Sequence, residues 1–200
     1  MVATRVRFVL IALTLCAVAA VAGVLLAEQR MDDDGGMELT DGWAGALRPP
    51  GQRVPEFSLS DQDGNIVTSA SLQGEPVVYA FVYSTCRDTC PAQVQTIRGA
   101  LDDFGSDVRV VGISVDPAND TPERAKAFLL KQSMTGRMDF LMGTREQLAP
   151  VWKGFAIQPQ QANLEHSAHT VLADGRGFQR VGFPFDHLTS ERLAHDLGRL

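Results

Sequence analysis

The sequence predicts an α/β domain carried behind a membrane anchor. Three observations support this: an uncharged apolar run near the N-terminus, apolar strand-like stretches alternating with segments of helical period, and two cysteines where one such strand hands over to a helix. The 200 residues, 44% hydrophobic and 21% charged, suffice for one globular domain and a short tail, and exclude disorder, collagen and solenoid repeats. A formal charge of -6 leaves no electrostatic footprint for nucleic acid.

The run Phe8 to Ala27 holds 20 residues without a charge, flanked by Arg5 and Arg7 before it and Glu28 after it. An α-helix needs about 20 apolar residues to cross the bilayer, whereas the apolar region of a cleaved signal is about 7 to 15 long. The run is therefore expected to be a retained anchor, a transmembrane helix over 8–27, with a cleaved signal as the alternative because Ala17, Ala19, Ala20 and Ala22 crowd it with small residues. The arginines before it keep residues 1–7 in the cytoplasm, and the remainder is exported. Cys16 lies inside the run behind Leu15, a poor match to a lipoprotein cleavage site, and is taken as a small apolar filler. Residues 28–53, acidic and then rich in Gly and Pro, read as a tether, so that the folded domain is expected over 54–200.

Within that domain Phe57 and Leu59 alternate with polar neighbours, Asp63-Gly64-Asn65 marks a turn, and Ile66 and Val67 complete a hairpin. Pro76 to Tyr83 is a continuous apolar strand of the kind buried on both faces. Pro91 opens a helix with Val94, Ile97, Leu101 and Phe104 on one stripe. Val108 to Val115 is a second buried strand, and Asp120-Thr121-Pro122-Glu123 starts a capped helix that runs to about Lys131. A short strand near Phe140, a helix from Thr144 to Phe155, strands over 169–173 and 178–183 around the turn Asp174-Gly175, and a helix from Ser190 complete the chain. Met134, Met138 and Met142 are read as core filler rather than thioether ligands.

The chemistry concentrates at Cys86-Arg87-Asp88-Thr89-Cys90-Pro91. The free backbone donors of a helix start favour thiolates. Cysteines four apart can either form a disulfide or clasp one ion, and a loop this short makes a poor structural staple. A metal needs a further ligand. His187 and His195 belong to the C-terminal helix and its approach and are discounted. His166 and His169, three apart in an extended segment, point to opposite faces, so at most one joins the cysteines, and the spacing alone does not choose.

The segment Phe81-Val82-Tyr83-Ser84-Thr85-Cys86-Arg87-Asp88-Thr89-Cys90-Pro91, with Ser114 to Pro117 and Asp120 to Pro122 downstream, resembles the SCO/SenC proteins that take part in cytochrome c oxidase assembly. The resemblance covers residues 42 to 200. It implies a thioredoxin-like fold, a central mixed sheet flanked by helices with an N-terminal hairpin. His166-Ser167 falls where that family places its third metal ligand, so Cys86, Cys90 and His166 are implied to converge on one copper ion, with His169 left out. Arg87 stands where the family has Pro, and Leu172-Ala173-Asp174-Gly175 is shorter than its usual form. Two thiolates and an imidazole make a soft, low-coordinate site suited to Cu(I), whereas zinc asks for a fourth ligand. Cu(II) is the alternative oxidation state for the same implied copper.

By this resemblance the chain is a metallochaperone rather than an enzyme, anchored in the inner membrane with its domain on the periplasmic or extracytoplasmic side. Its partners would be a copper donor protein and the copper-receiving subunit of cytochrome c oxidase. A thiol-disulfide reductase using Cys86 and Cys90 as a redox pair is the alternative, and a peroxiredoxin-like peroxidase the weaker third.

Overall fold

The computed structural model describes residues 39–106, 108–160 and 167–200. The expected anchor over 8–27 and His166 lie outside them. Among the described residues no helix is long and apolar enough to cross a membrane.

The sheet is organised around β4 (Val77–Val82), whose six residues are all buried. It pairs in parallel with β5 (Arg109–Ser114) and antiparallel with β7 (His169–Ala173). β5 pairs in parallel with β6 (Asp139–Leu141), and β7 antiparallel with β8 (Gln179–Pro184). With β1 (Ala46–Leu47) on the edge, the strand order is β1-β8-β7-β4-β5-β6, a mixed sheet. β2 (Ser58–Ser60) and β3 (Ile66–Thr68) form the expected hairpin, closed by Asp61, whose carboxylate accepts from the Asp63 and Asn65 N–H groups at 2.8 Å each.

Helices cover both faces. On one, Val77, Tyr79 and Phe81 of β4 meet the hairpin residues Phe57 and Leu59 and the helix α3 (Arg145–Phe155). The Phe155 ring lies 5.0 Å from Tyr79 and 5.1 Å from Phe81, in tilted and edge-on contacts. On the other lie α1 (Thr89–Phe104), α2 (Pro122–Lys131) and α4 (Ser190–Leu197). Ser190 ties α4 to α1 by donating to the Thr96 carbonyl, and Phe128 of α2 packs edge-on against Phe140. Met138 closes over β5 at Gly112, where a β-carbon would run into its terminal methyl and push that side chain aside. Met134 and Met138 are buried, as core filler should be.

Two expectations change. α1 begins at Thr89, two residues before Pro91, because none of the first-turn N–H groups has an intrahelical acceptor and proline costs nothing there. The capped start of α2 is as expected, with Thr121 as the cap, its hydroxyl accepting from Arg124 N–H, which leaves the Asp120 carboxylate for another purpose. The compact unit starts at Leu39 rather than Val54. Residues taken as tether supply β1, and Trp43 and Ala44 are buried. The fully buried Asp196 of α4 accepts the N–H groups of Ala44 at 2.9 Å and Gly45 at 2.8 Å. Those contacts come from residues some 150 positions away, and glycine and proline content does not show them.

Candidate functional site

β4 ends at Val82, and the chain turns through Tyr83, whose carbonyl accepts the Cys86 N–H at 3.2 Å, before α1 begins. Cys90 is therefore the second residue of the helix, fully buried, and Cys86 is half-exposed just outside it. Neither is in a disulfide. The Cys90 N–H donates to Cys86 Sγ at 3.1 Å, one of the first-turn donors that have no partner within the helix.

The two sulfurs are unequal. The Cys86 thiol is pulled down to about 6, chiefly because the Cys90 thiol donates to its thiolate; burial opposes this, and the Cys90 and Asp88 N–H groups and the Tyr83 hydroxyl assist. The Cys90 thiol is pushed far up, by burial first and then by its bond to Cys86 and the charge there. At neutral pH the pair is thus a half-exposed thiolate with a buried thiol behind it.

A cavity of about 430 Å³ opens beside Cys86, lined by Tyr83, Asp88, Ser167, His169 and Phe185 among others. Its far wall is pinned on both sides. Gln158 N–H donates to Ser167 Oγ and Ser167 N–H to the Gln158 carbonyl at 3.0 Å, while Phe185 N–H donates to the Ala168 carbonyl at 3.0 Å. Gln160 N–H reaches the Val115 carbonyl beyond the end of β5. Ser167, the chain neighbour of His166, therefore stands on the cavity wall. Among the described residues no three His, Cys, Asp or Glu side chains are grouped for a metal.

His169, expected to face away from the cysteines, lines this same cavity. β7 begins only at His169, so strand alternation does not extend back through Ala168 and Ser167, and the opposite-face argument loses its basis. Burial, then the charge of Arg48, lowers its imidazole below the usual value, with Asp186 opposing, so the ring is neutral at pH 7. Asp88 is the helix cap position but makes no side-chain cap, and it lies on the rim with Arg87.

A sequence profile of the SCO1/SenC family matches residues 46–200. The chain belongs to the SCO1/SenC family. It is 32% identical to the protein SenC of Rhodobacter capsulatus over 153 residues, which covers 71% of this chain and 67% of that one. It is also 32% identical to the SCO1 protein homolog of Bacillus subtilis over 113 residues, covering 54% of this chain and 55% of that protein's length. Among solved structures it resembles Bradyrhizobium japonicum ScoI with copper bound, at a TM-score of 0.63 and 32% identity, covering 74% of this chain and 98% of that one.

In this SCO1/SenC chain two supports of the site went unread in the sequence. The partly buried Asp120 carboxylate accepts the Ser84 N–H at 2.7 Å and the hydroxyls of Ser84 and Ser114, which locks the turn leading to Cys86 onto the end of β5. Its pKa is raised, by burial foremost, with those hydrogen bonds opposing. Gln93 of α1, also buried, donates to the His169 carbonyl at 2.8 Å and to Thr170 Oγ1 at 3.0 Å, and so sets the helix against the start of β7. An acidic residue following a strand and a polar residue on an apolar helix stripe were the available signals.

Proposed function

We propose that the chain is a membrane-anchored copper chaperone that serves assembly of the dinuclear copper centre of cytochrome c oxidase, with copper as its cargo. Membership in the SCO1/SenC family supports the oxidase, and the likeness to copper-bound ScoI supports the metal. The single observation that carries the reading is the unequal cysteine pair at an open cavity. Two sulfurs at a helix start fit Cu(I), and Cys86, already a thiolate, meets the ion first; Cys90 binds as its proton leaves. His166 would supply the third donor from beside Ser167. Such a low-coordinate set releases metal by exchange with a partner's ligands, as cargo requires. The run Phe8 to Ala27 would hold the domain on the extracytoplasmic face of the inner membrane, in reach of a copper donor and the oxidase subunit.

The test is the copper stoichiometry of the reduced chain. One copper per chain, lost in Cys86→Ser and in Cys90→Ser and weakened in His166→Ala, is the expected result. Equal affinity in Cys90→Ser would refute it.

A second reading is favoured by the same inequality. A thiolate with a buried thiol behind it is also the arrangement of a disulfide reductase. Cys86 Sγ would attack a partner's disulfide, expelling one partner thiolate and forming a mixed disulfide. Cys90, losing its proton, would then close on Cys86, release the second partner thiolate and leave Cys86–Cys90 oxidised, to be reset by two electrons from a thiol donor.

A further inference from the structure

Two aromatic rings at the β1/β8 edge carry a set of arginines that the cysteine site does not use. The guanidinium carbons of Arg199 and Arg180 lie 4.9 and 5.8 Å from the Trp43 ring centre. Those of Arg53 and Arg176 lie 4.4 and 5.6 Å from the centre of Phe178. Arg176 and Arg180 both reach Asp174 Oδ2, at 3.4 and 3.3 Å, which joins the two stacks into one face. A groove lined by Leu47, Pro49, Pro50, Phe178 and Arg180 continues it, and Leu47 is exposed. The opposing charges there are Asp174 and Glu56, which line a cavity with Arg53, and Asp41, next to the Gly42 that the Arg199 guanidinium covers. The described domain as a whole is acidic, so this concentration of cations runs against its composition.

We propose that this face docks on the anionic phospholipid headgroups of the membrane in which the chain is anchored, a reading that rests on the anchor proposed above. Guanidinium forks match phosphate oxygens two bonds at a time, and they shed water more readily than an ammonium. Trp43 beneath two arginines, with Leu47 and the prolines beside them, is the mixture of apolar body and cationic tip that suits a membrane–water interface. Only residues 28–38 separate Leu39 from the end of the apolar run, a reach of at most about 40 Å when fully extended. β8 carries the consequence for function. Its N-terminal end, at Arg180 and just after Phe178, belongs to the arginine face, and its C-terminal end, at Pro184, to the Cys86 cavity, about 14 Å along the strand from Arg180 and about 20 Å from Phe178. Docked by its arginines, the domain presents Cys86 away from the lipid, towards the extramembrane part of a partner.

The experiment reconstitutes the full chain in phosphatidylcholine vesicles with and without phosphatidylglycerol. It reads quenching of Trp43 by a headgroup-labelled lipid, with Trp43→Phe subtracting the signal of Trp152. Quenching should appear with phosphatidylglycerol and fall as salt is raised. Arg53→Gln combined with Arg176→Gln should lower the docked-to-free ratio about thirtyfold, at about 1 kcal/mol for each cation near an anionic surface. The matching pair of lysine substitutions should keep most of it, and the Cys86 alkylation rate should be unchanged in all variants, which shows that the fold is intact. Quenching that is equal in both lipids, or untouched by the glutamines, overturns the docking face. A loss on substitution that is the same in both lipids assigns the arginines to an acidic protein segment and overturns it equally. Alkaline extraction of the same vesicles separates the two readings. Release of the chain overturns the anchor, and the face is then judged by salt-reversible flotation of the released chain with phosphatidylglycerol vesicles.

Discussion

Cys86 and Cys90 owe their inequality to depth. One sulfur sits at the cavity mouth with donors around it, and the other is closed off behind it. Because the Cys86 thiol is lowered to about 6, its thiolate is present above that pH and is lost as pH falls through it. Iodoacetamide should therefore alkylate Cys86 at a rate that is flat at neutral pH and falls about tenfold per unit below the midpoint. Cys90→Ala removes the leading cause of the shift and should move the midpoint upwards. A native midpoint near the ordinary thiol value of about 8.5 would contradict the geometry. His169 is the informative neighbour. Strand alternation makes His169→Ala silent towards copper, whereas its place in the cavity wall makes it a fair competitor to His166. Copper retained in His169→Ala and weakened in His166→Ala, measured on the reduced chain, assigns the donor to His166; the reverse result reassigns it.

At the level of elements, loops carry partly buried carboxylates that hold strand ends together. Asp120 links the β4–α1 turn to β5. Asp120→Ala leaves the Ser84 N–H and two hydroxyls without their acceptor and should cost about 1–3 kcal/mol in denaturant unfolding. It should also slow disulfide closure between Cys86 and Cys90, since the turn that presents Cys86 is no longer held. Asp174 does the same for the β7–β8 turn, accepting the Arg176 and Phe178 N–H groups at 3.0 Å each. Burial would raise its pKa, but those bonds and the Arg176 charge lower it overall. A carboxyl lowered in the folded state contributes stability that is present above its unfolded value of about 3.9 and lost as pH falls through the folded one. Wild type should therefore exceed Asp174→Asn in stability at neutral pH, with the gap closing below about pH 4. A gap that stays constant down to pH 2 would remove Asp174 from this role.

Across the molecule, the N-terminal segment is part of the fold. Beginning the chain at Val54 would uncover the β8 edge, expose the ring contacts of Trp43 and leave the buried Asp196 without two of its donors. At about 1–3 kcal/mol for each lost buried bond and about 2–4 °C per kcal/mol, a domain starting at Val54 should melt at least about 4 °C below one starting at Leu39. Equal melting temperatures would restore the later boundary. The two proposed roles also separate at this scale. A chaperone needs His166, whereas a reductase needs only the thiols. In cells limited for copper, His166→Ala at normal protein levels should lose oxidase activity about as severely as the double Cys→Ser change, and near-normal activity would favour the reductase.

The amino-acid sequence by itself determined the elements and the chemistry of the cysteines. Val77 to Val82 is apolar throughout because it is covered on both faces, and helix and turn signals such as Thr144 with Gln147, or Asp61 to Asn65, act within a few residues of one another. The family motif around Cys86 and Cys90 is equally local, which is why the pair and the SCO1/SenC resemblance could be read directly. What only the tertiary structure decided depends on residues distant in the chain. Asp120 meets Ser84 across two strands, Asp196 meets Ala44 across nearly the whole sequence, and His169 enters the cavity because β7 starts where it does. The arginine face is likewise assembled from Arg53, Arg176, Arg180 and Arg199, which no window of sequence holds together. Period and propensity report the environment of a segment, but the pairing of a buried carboxylate, or the gathering of cations on one edge, is set by which strands the sheet makes neighbours.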